Sequence, residues 1–274
     1  MLIALEQAWD WIYLKYIAAF FVGLLAGGIN TLAGNGSAIT LPMLMFLGLG
    51  ADVANGTNRV GVILASLSGT ATFKRSGLLD TRGIAYWLIV PASVGSAIGA
   101  IVAAGLGAQQ MKAVVAVVMV FMLMTILANP KRWIKQDAGN LPNHRKLSTV
   151  LVFFAIGLYG GFIQAGVGML LLSALVLRAG YSLTRANPIK VLVVLALTVP
   201  ALAVFINHGQ VQWSIGLLVG GGQIIGAYLA AKFAAGYPQA NIWIRRLLVV
   251  VIVVELIVLS YQFAFVGTPM GVSG

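Results

Sequence analysis

Hydrophobic runs dominate the chain, and they break at matched places. Ten apolar segments stand out, at approximately 13–33, 36–49, 53–72, 83–104 and 110–128 in the first half and 148–165, 167–178, 185–206, 212–234 and 243–266 in the second. A membrane-spanning helix needs about 20 residues. The segments at 36–49 and 167–178 are too short for that, since at about 1.5 Å per residue they reach only about 20 Å across a hydrocarbon core of about 30 Å. Each is predicted to pair with the helix before it as a hairpin that turns at membrane depth. Irregular backbone persists there only when it is buried in protein or lines a cavity.

The break Gly34-Asn35-Gly36 recurs as Gly166-Val167-Gly168, and the same step along the chain carries Ala54-Asn55 onto Ala186-Asn187 and Asn58 onto Lys190. Two copies of one membrane unit follow, residues 1–128 and 148–274, joined by a linker at 129–147 that holds Pro130, Gly139, Asn140 and Pro142. Five segments in the first copy is an odd number, so the second copy is expected to be inverted. The predicted fold is an all-α polytopic membrane protein of two inverted repeats, each of about five helical segments, with glycine-broken hairpins near the midplane. Broken hydrophobic segments at corresponding places in two such halves are the pointer to a transporter binding site.

Composition agrees with this pattern. The 274 residues are 60% hydrophobic and 8% charged, against roughly 25% charged in a soluble domain. So few charges cannot cover a water-facing surface. The net charge of +11 could suggest nucleic acid, but the basic residues sit in short loops between apolar runs and read as membrane orientation. Lys74, Arg75 and Arg82 follow the third segment; Lys131, Arg132, Lys135, Arg145 and Lys146 fill the linker; Arg178 and Arg185 follow the seventh segment; Arg245 and Arg246 precede the tenth. All four loops fall on one side, predicted to be cytoplasmic, with both termini outside. The opposite loops near 50–52, 105–109 and 207–211 hold no Lys or Arg, and Lys112 at a segment edge is the one dissent. The absence of cysteine removes disulfides, thiol catalysis and cysteine-bound metal. The N-terminus lacks a basic n-region and an A-x-A-like site, and reads as an uncleaved first helix.

Candidate chemistry collects at the breaks. Glycines let backbone approach a ligand closely, and a helix opening near Ser37 would turn free N–H groups towards the break, an end that attracts anions. Asn30 and Asn35 in the first break and Gln164 in the second are amides at membrane depth, which need partners. Tight helix packing explains the glycines equally well. Asp52 and Thr184 are natural N-caps for the helices that follow. About two turns further on, Asn58 and Arg59 in one copy and Lys190 in the other would place two cations near the site from opposite sides, unless they snorkel to the interface. With carboxylates scarce, the natural partner of these cations is an anion. Glu255, midway along the last segment, is a candidate for proton coupling or for a bridge to a backbone or amide group. His208 reads as a solvated loop residue. His144 and His208 lie in different loops, so no local His cluster for metal exists; G-x-S-x-G and paired carboxylates within a span are absent too. An enzyme is disfavoured, and no cofactor is implied.

The segments GGINTLAGNGSAITLP (Gly27 to Pro42), ANGTNRVG (Ala54 to Gly61) and GGFIQAGVG (Gly160 to Gly168) resemble the sulfite exporter TauE/SafE family of membrane permeases. A glycine-rich break, a proline-bearing short helix and an alanine–threonine–asparagine start to the next helix form that family's N-terminal pattern. The chain departs from it in having Asn35 and Ser37 where glycine is frequent, and Ala174 opposite Pro42. The resemblance implies a multi-pass protein of the bacterial inner membrane that moves sulfite, sulfonates or related small organic anions by alternating access. Asn30, Asn35, Asn58, Arg59, Gln164 and Lys190 would bind the anion. An anion channel, or a membrane-embedded enzyme or assembly factor, is the alternative. The partners implied are a small anionic substrate and the lipid bilayer; nucleic acid is not among them, and a homo-oligomer is compatible with this class.

Overall fold

The computed structural model describes residues 2–79, 86–128 and 147–236. The tenth predicted segment with Glu255, and nearly all of the linker at 129–147, lie outside the described residues. Among the described residues the regular structure is helical: α1 (Leu2–Ala33), α2 (Ser37–Phe46), α3 (Ala51–Arg75), α4 (Tyr86–Ala104), α5 (Ala108–Ala128), α6 (Leu147–Phe162), α7 (Val167–Leu177), α8 (Leu183–Asn207) and α9 (Trp213–Gly236). The helix α1 begins earlier than its apolar stretch, because neither Pro nor Gly interrupts the chain before Gly23. Four helices are long and apolar enough to cross a membrane by length and composition, over Tyr13–Ala33, Trp87–Ala104, Thr184–Asn207 and Trp213–Gly236. The two predicted short segments are short helices, α2 with 10 residues and α7 with 11.

Apolar side chains such as Phe21, Trp87, Val117, Leu151 and Leu217 are exposed, whereas Asn55, Asn58, Arg59, Lys190 and Gln223 are buried. This inversion of the soluble pattern is what lipid on the outside and a polar centre demand. The helices α3 and α8 carry that centre. They pack on each other, α3 also packs on α9, and α8 also packs on α4. Two outer pairs flank them, α1 against α9 and α4 against α6.

Both outer pairs are built on glycines four apart. Gly23 and Gly27 of α1 lie against the α9 backbone at Val219 and Gln223, and Gly222 and Gly226 of α9 against the α1 backbone at Phe20 and Leu24, so closely that a Cβ at Gly27 would lie 2.2 Å from the Gln223 carbonyl oxygen. Gly95 and Gly99 of α4 lie against the α6 backbone at Phe154 and Leu158, and Gly157 and Gly161 of α6 against the α4 backbone at Ala92 and Ser96, where a Cβ at Gly161 would lie 1.9 Å from the Ser96 carbonyl oxygen. Small residues at this spacing let helix backbones touch, which replaces the hydrophobic driving force that lipid cannot supply.

The backbone itself keeps the step seen in the sequence. Among the described residues the glycines with positive φ fall into pairs at that one step: Gly34 and Gly166 (both 78°), Gly48 and Gly180 (96° and 74°), and Gly77 and Gly209 (71° and 68°). Asp52 and Thr184, expected as N-caps, lie inside their helices instead. The capping positions are Gly50 and Ser182, and neither makes a side-chain capping bond. The helices simply start one to two residues earlier than the expected caps; Asp52 still sits in the first turn of α3, where a carboxylate favours the helix dipole.

Candidate functional site

The two breaks meet each other. The Gly168 N–H donates to the Gly34 carbonyl at 3.1 Å. A Cβ on Gly168 would lie 2.2 Å from the Gly34 Cα, and one on Gly34 would lie 2.3 Å from the Gly168 Cα. Gly34 and Gly166 each turn the chain through a left-handed conformation that glycine alone adopts without cost. Without these three glycines the chain could neither leave α1 and α6 at these points nor let the two breaks touch.

A helix that stops at membrane depth exposes its last four carbonyls. At the end of α6 these are met from α3. Arg59 donates through Nη1 to the Gly160 carbonyl and through Nη2 to the Gly161 carbonyl at 2.9 Å, while the Asn55 amide donates to the Phe162 carbonyl at 2.9 Å. The Ile163 N–H takes the Tyr159 carbonyl at 2.8 Å. At the end of α1 the same work is done from α8: Lys190 Nζ donates to the Asn30 and Thr31 carbonyls at 3.2 and 2.9 Å. Each cation thus crosses to the broken helix of the other half and sits at a negative helix end, the favourable arrangement for a buried positive charge. Arg59 also lies 5.3 Å from the Phe205 ring centre, a cation–π contact that helps replace lost water.

The predicted amides behave differently from one another. Gln164 is held at both ends: its Oε1 accepts from Arg59 Nη1, and its Nε2 donates to Thr198 Oγ1 at 3.3 Å. Asn58 donates to Ser37 Oγ at 2.9 Å and accepts from Thr40 Oγ1 at 2.5 Å, tying α3 to the first turn of α2. Asn30 uses its backbone carbonyl for Lys190, and its side chain is buried beside Gly36. Asn35 is 1% exposed, yet neither its Nδ2 nor its Oδ1 has a hydrogen-bond partner. It stands one residue before Gly36, the N-cap of α2, and among the described residues the N–H groups of Asn35 and Gly36 have no acceptor.

All six candidate residues are buried and gather around the two breaks. Asn55, Ser37, Thr40 and Thr198 belong to the same network and were not singled out from sequence. Their signal is a polar stripe at helical spacing on apolar helices: Asn55, Asn58 and Arg59 on α3, and Asn187, Lys190 and Thr198 on α8. Among the described residues no group of His, Cys, Asp or Glu could hold a metal ion. His208 is exposed, as a loop residue would be.

The sulfite exporter TauE/SafE family model matches residues 19–259, which contain both breaks and both polar helices. The chain belongs to the sulfite exporter TauE/SafE family. It is 29% identical over 240 residues to a probable membrane transporter protein, ORF9, of Sinorhizobium sp, covering 86% of this chain and 87% of that one. It is 27% identical over 217 residues to a probable membrane transporter protein of Haemophilus influenzae, covering 78% and 82%. A probable membrane transporter protein of Escherichia coli, YfcA, is 26% identical over 236 residues, covering 85% and 84%. No solved structure matches the chain. Family membership makes this chain a multi-pass membrane transporter.

Proposed function

We propose that the protein is an inner-membrane permease for small sulfur-containing anions, sulfite, sulfonates or related organic anions, working by alternating access between two inverted repeats. The observation that carries this reading is the crossing of Gly34 and Gly168 beside the amino ends of α2 and α7. Two buried cations, Arg59 and Lys190, stand at these breaks, and their hydrogen bonds go to carbonyl and amide oxygens, with no carboxylate among those partners. A region with that surplus of positive potential favours an anion.

In this reading the anion lies among Asn30, Asn35, Asn58, Arg59, Gln164 and Lys190. Arg59 and Lys190 supply the field, with Gln164 holding Arg59 in place, while the asparagine amides and backbone N–H groups supply directional bonds. The paired positive-φ glycines and the reciprocal packing, α1 of the first half on α9 and α6 of the second half on α4, support two repeats of one unit. Rocking one repeat on the other about the glycine crossing would open the site to each side in turn. The basic residues of the linker at 129–147 support a cytoplasmic side for it, and Glu255 is the candidate coupling group.

The test is uptake of labelled sulfite into proteoliposomes, with and without excess taurine, sulfoacetate, acetate or sulfate. Saturable uptake blocked by a sulfonate is the expected result. Flux that never saturates and shows no counterflow would make the protein a channel. No flux of any small anion by folded protein would overturn the transport of anions altogether.

A further inference from the structure

The two breaks carry different side-chain chemistry. In the second, Gln164 has both ends of its amide engaged, by Arg59 and by Thr198. In the first, the Asn35 amide is buried with neither end engaged. Leaving a buried donor and acceptor unpaired is costly for folding, by the desolvation of each group, and native structures rarely tolerate it without a functional reason. Asn35 also sits at the amino end of the ten-residue helix α2, beside backbone N–H groups of its own residue and of Gly36 that have no acceptor among the described residues.

We infer that the Asn35 side chain is the head-group contact for the transported solute, and that it selects small oxyanions that also carry a hydrogen-bond donor. The inference rests on the permease reading above and sharpens its substrate class. An anion's oxygens suit Asn35 Nδ2 and the two N–H groups. They do not suit Asn35 Oδ1, which is an acceptor only and repels a bare oxyanion. A ligand satisfies both ends when it brings an O–H or N–H with its negative oxygens, as hydrogen sulfite, a hydroxysulfonate, an aminosulfonate or a hydroxycarboxylate does. A site that pairs a substrate hydroxyl rejects the analogue lacking it more strongly than an apolar pocket could. Gln164 cannot make this selection, because its amide is part of the clamp on Arg59.

Matched competitors test this directly: 2-hydroxyethanesulfonate against ethanesulfonate, and glycolate against acetate. Each is scored for inhibition of labelled sulfite uptake by the full-length protein in proteoliposomes, and for the shift it produces in the melting temperature of the detergent-solubilised protein. The donor-bearing member of each pair is expected to act at about tenfold lower concentration. That preference is expected to vanish in Asn35→Ala and in Asn35→Leu, which keeps the branched outline of the side chain without its donor and acceptor, while the unliganded melting temperature of Asn35→Ala stays level or rises, because an unpaired buried amide has been removed. Equal potency within pairs, a preference that survives both variants, or variants that melt lower with KM unchanged would each overturn the inference while saturable uptake kept the permease reading. Discrimination in the melting shift without any flux would overturn the permease reading and keep the Asn35 site. No anion moving or shifting the wild-type protein would remove both.

Discussion

The first break and the second break are built from one backbone plan and carry opposite hydrogen-bond states. Gly34 and Gly166 turn with the same φ of 78°, and each preceding helix ends on carbonyls capped by a cation from the other half. Yet Gln164 and Asn55 engage the two terminal nitrogens of Arg59, whereas the Asn35 side chain is left with no partner. A repeat that duplicates the backbone need not duplicate the role. One copy can hold the frame rigid, which frees the other to keep unpaired groups for a solute.

Substitution of Arg59 is expected to have the largest effect. Arg59→Ala leaves the Gly160 and Gly161 carbonyls and the Gln164 and Asn55 amide oxygens without a donor. Each buried unpaired group costs about 1–3 kcal/mol, so a total loss of more than about 3 kcal/mol is expected, read as a lower melting temperature and poor accumulation in membranes. Arg59→Lys keeps the charge but lacks the planar fork that reaches several acceptors, and is expected to recover only part of the loss. Next comes the crossing. Gly168→Ala drives a methyl into the Gly34 Cα, an overpacking worth about 1–3 kcal/mol, and is expected to abolish uptake in protein that still inserts. Gly107→Ala, with nothing within 4 Å, is its neutral control.

Gln164→Ala is expected to cost a similar or smaller amount, about 1–2 kcal/mol, because it unpairs one Arg59 N–H and removes the bond that Thr198 accepts, while the Thr198 hydroxyl keeps its bond to the Val194 carbonyl. Its signature is lower stability together with lower maximal uptake. Asn35→Ala is expected to change stability least, within about 0.5 kcal/mol or in the stabilising direction, since no bond is lost. Its signature is a rise in KM. The contrast between these two amides, one structural and one poised for a ligand, is thus measurable as two different kinds of defect.

Much of the frame is legible in the sequence, and the reasons are physical. The short helices α2 and α7 follow from glycine-flanked apolar runs too short for a bilayer, and the internal step follows from Gly34-Asn35-Gly36 against Gly166-Val167-Gly168. The burial of Arg59 and Lys190 follows from cations inside apolar helices. What those cations touch does not follow, because their partners are backbone carbonyls, which no side-chain pattern announces. The sequence reading assigns Arg59 and Lys190 to the anion itself; the structure adds that each first secures a broken helix of the opposite half. Asn55 escapes notice as a site residue for the same reason, since its partner is the Phe162 carbonyl. The caps expected at Asp52 and Thr184 are displaced to Gly50 and Ser182 because helices in a packed bundle extend wherever backbone bonds remain available, without a side-chain cap. The difference between Asn35 and Gln164 is equally invisible in sequence: both are amides in glycine-rich breaks, and only the surrounding donors and acceptors separate them.

The most direct measurement is the melting temperature of the wild-type, Asn35→Ala and Gln164→Ala proteins with and without sulfite, alongside the KM for sulfite uptake of each. The expected result is a sulfite-dependent rise in melting temperature for wild type that is lost in Asn35→Ala without loss of basal stability, while Gln164→Ala melts lower in the absence of ligand yet still responds to sulfite. Equal basal destabilisation in the two variants, with the sulfite response intact in Asn35→Ala, would contradict the division between a framing break and a binding break.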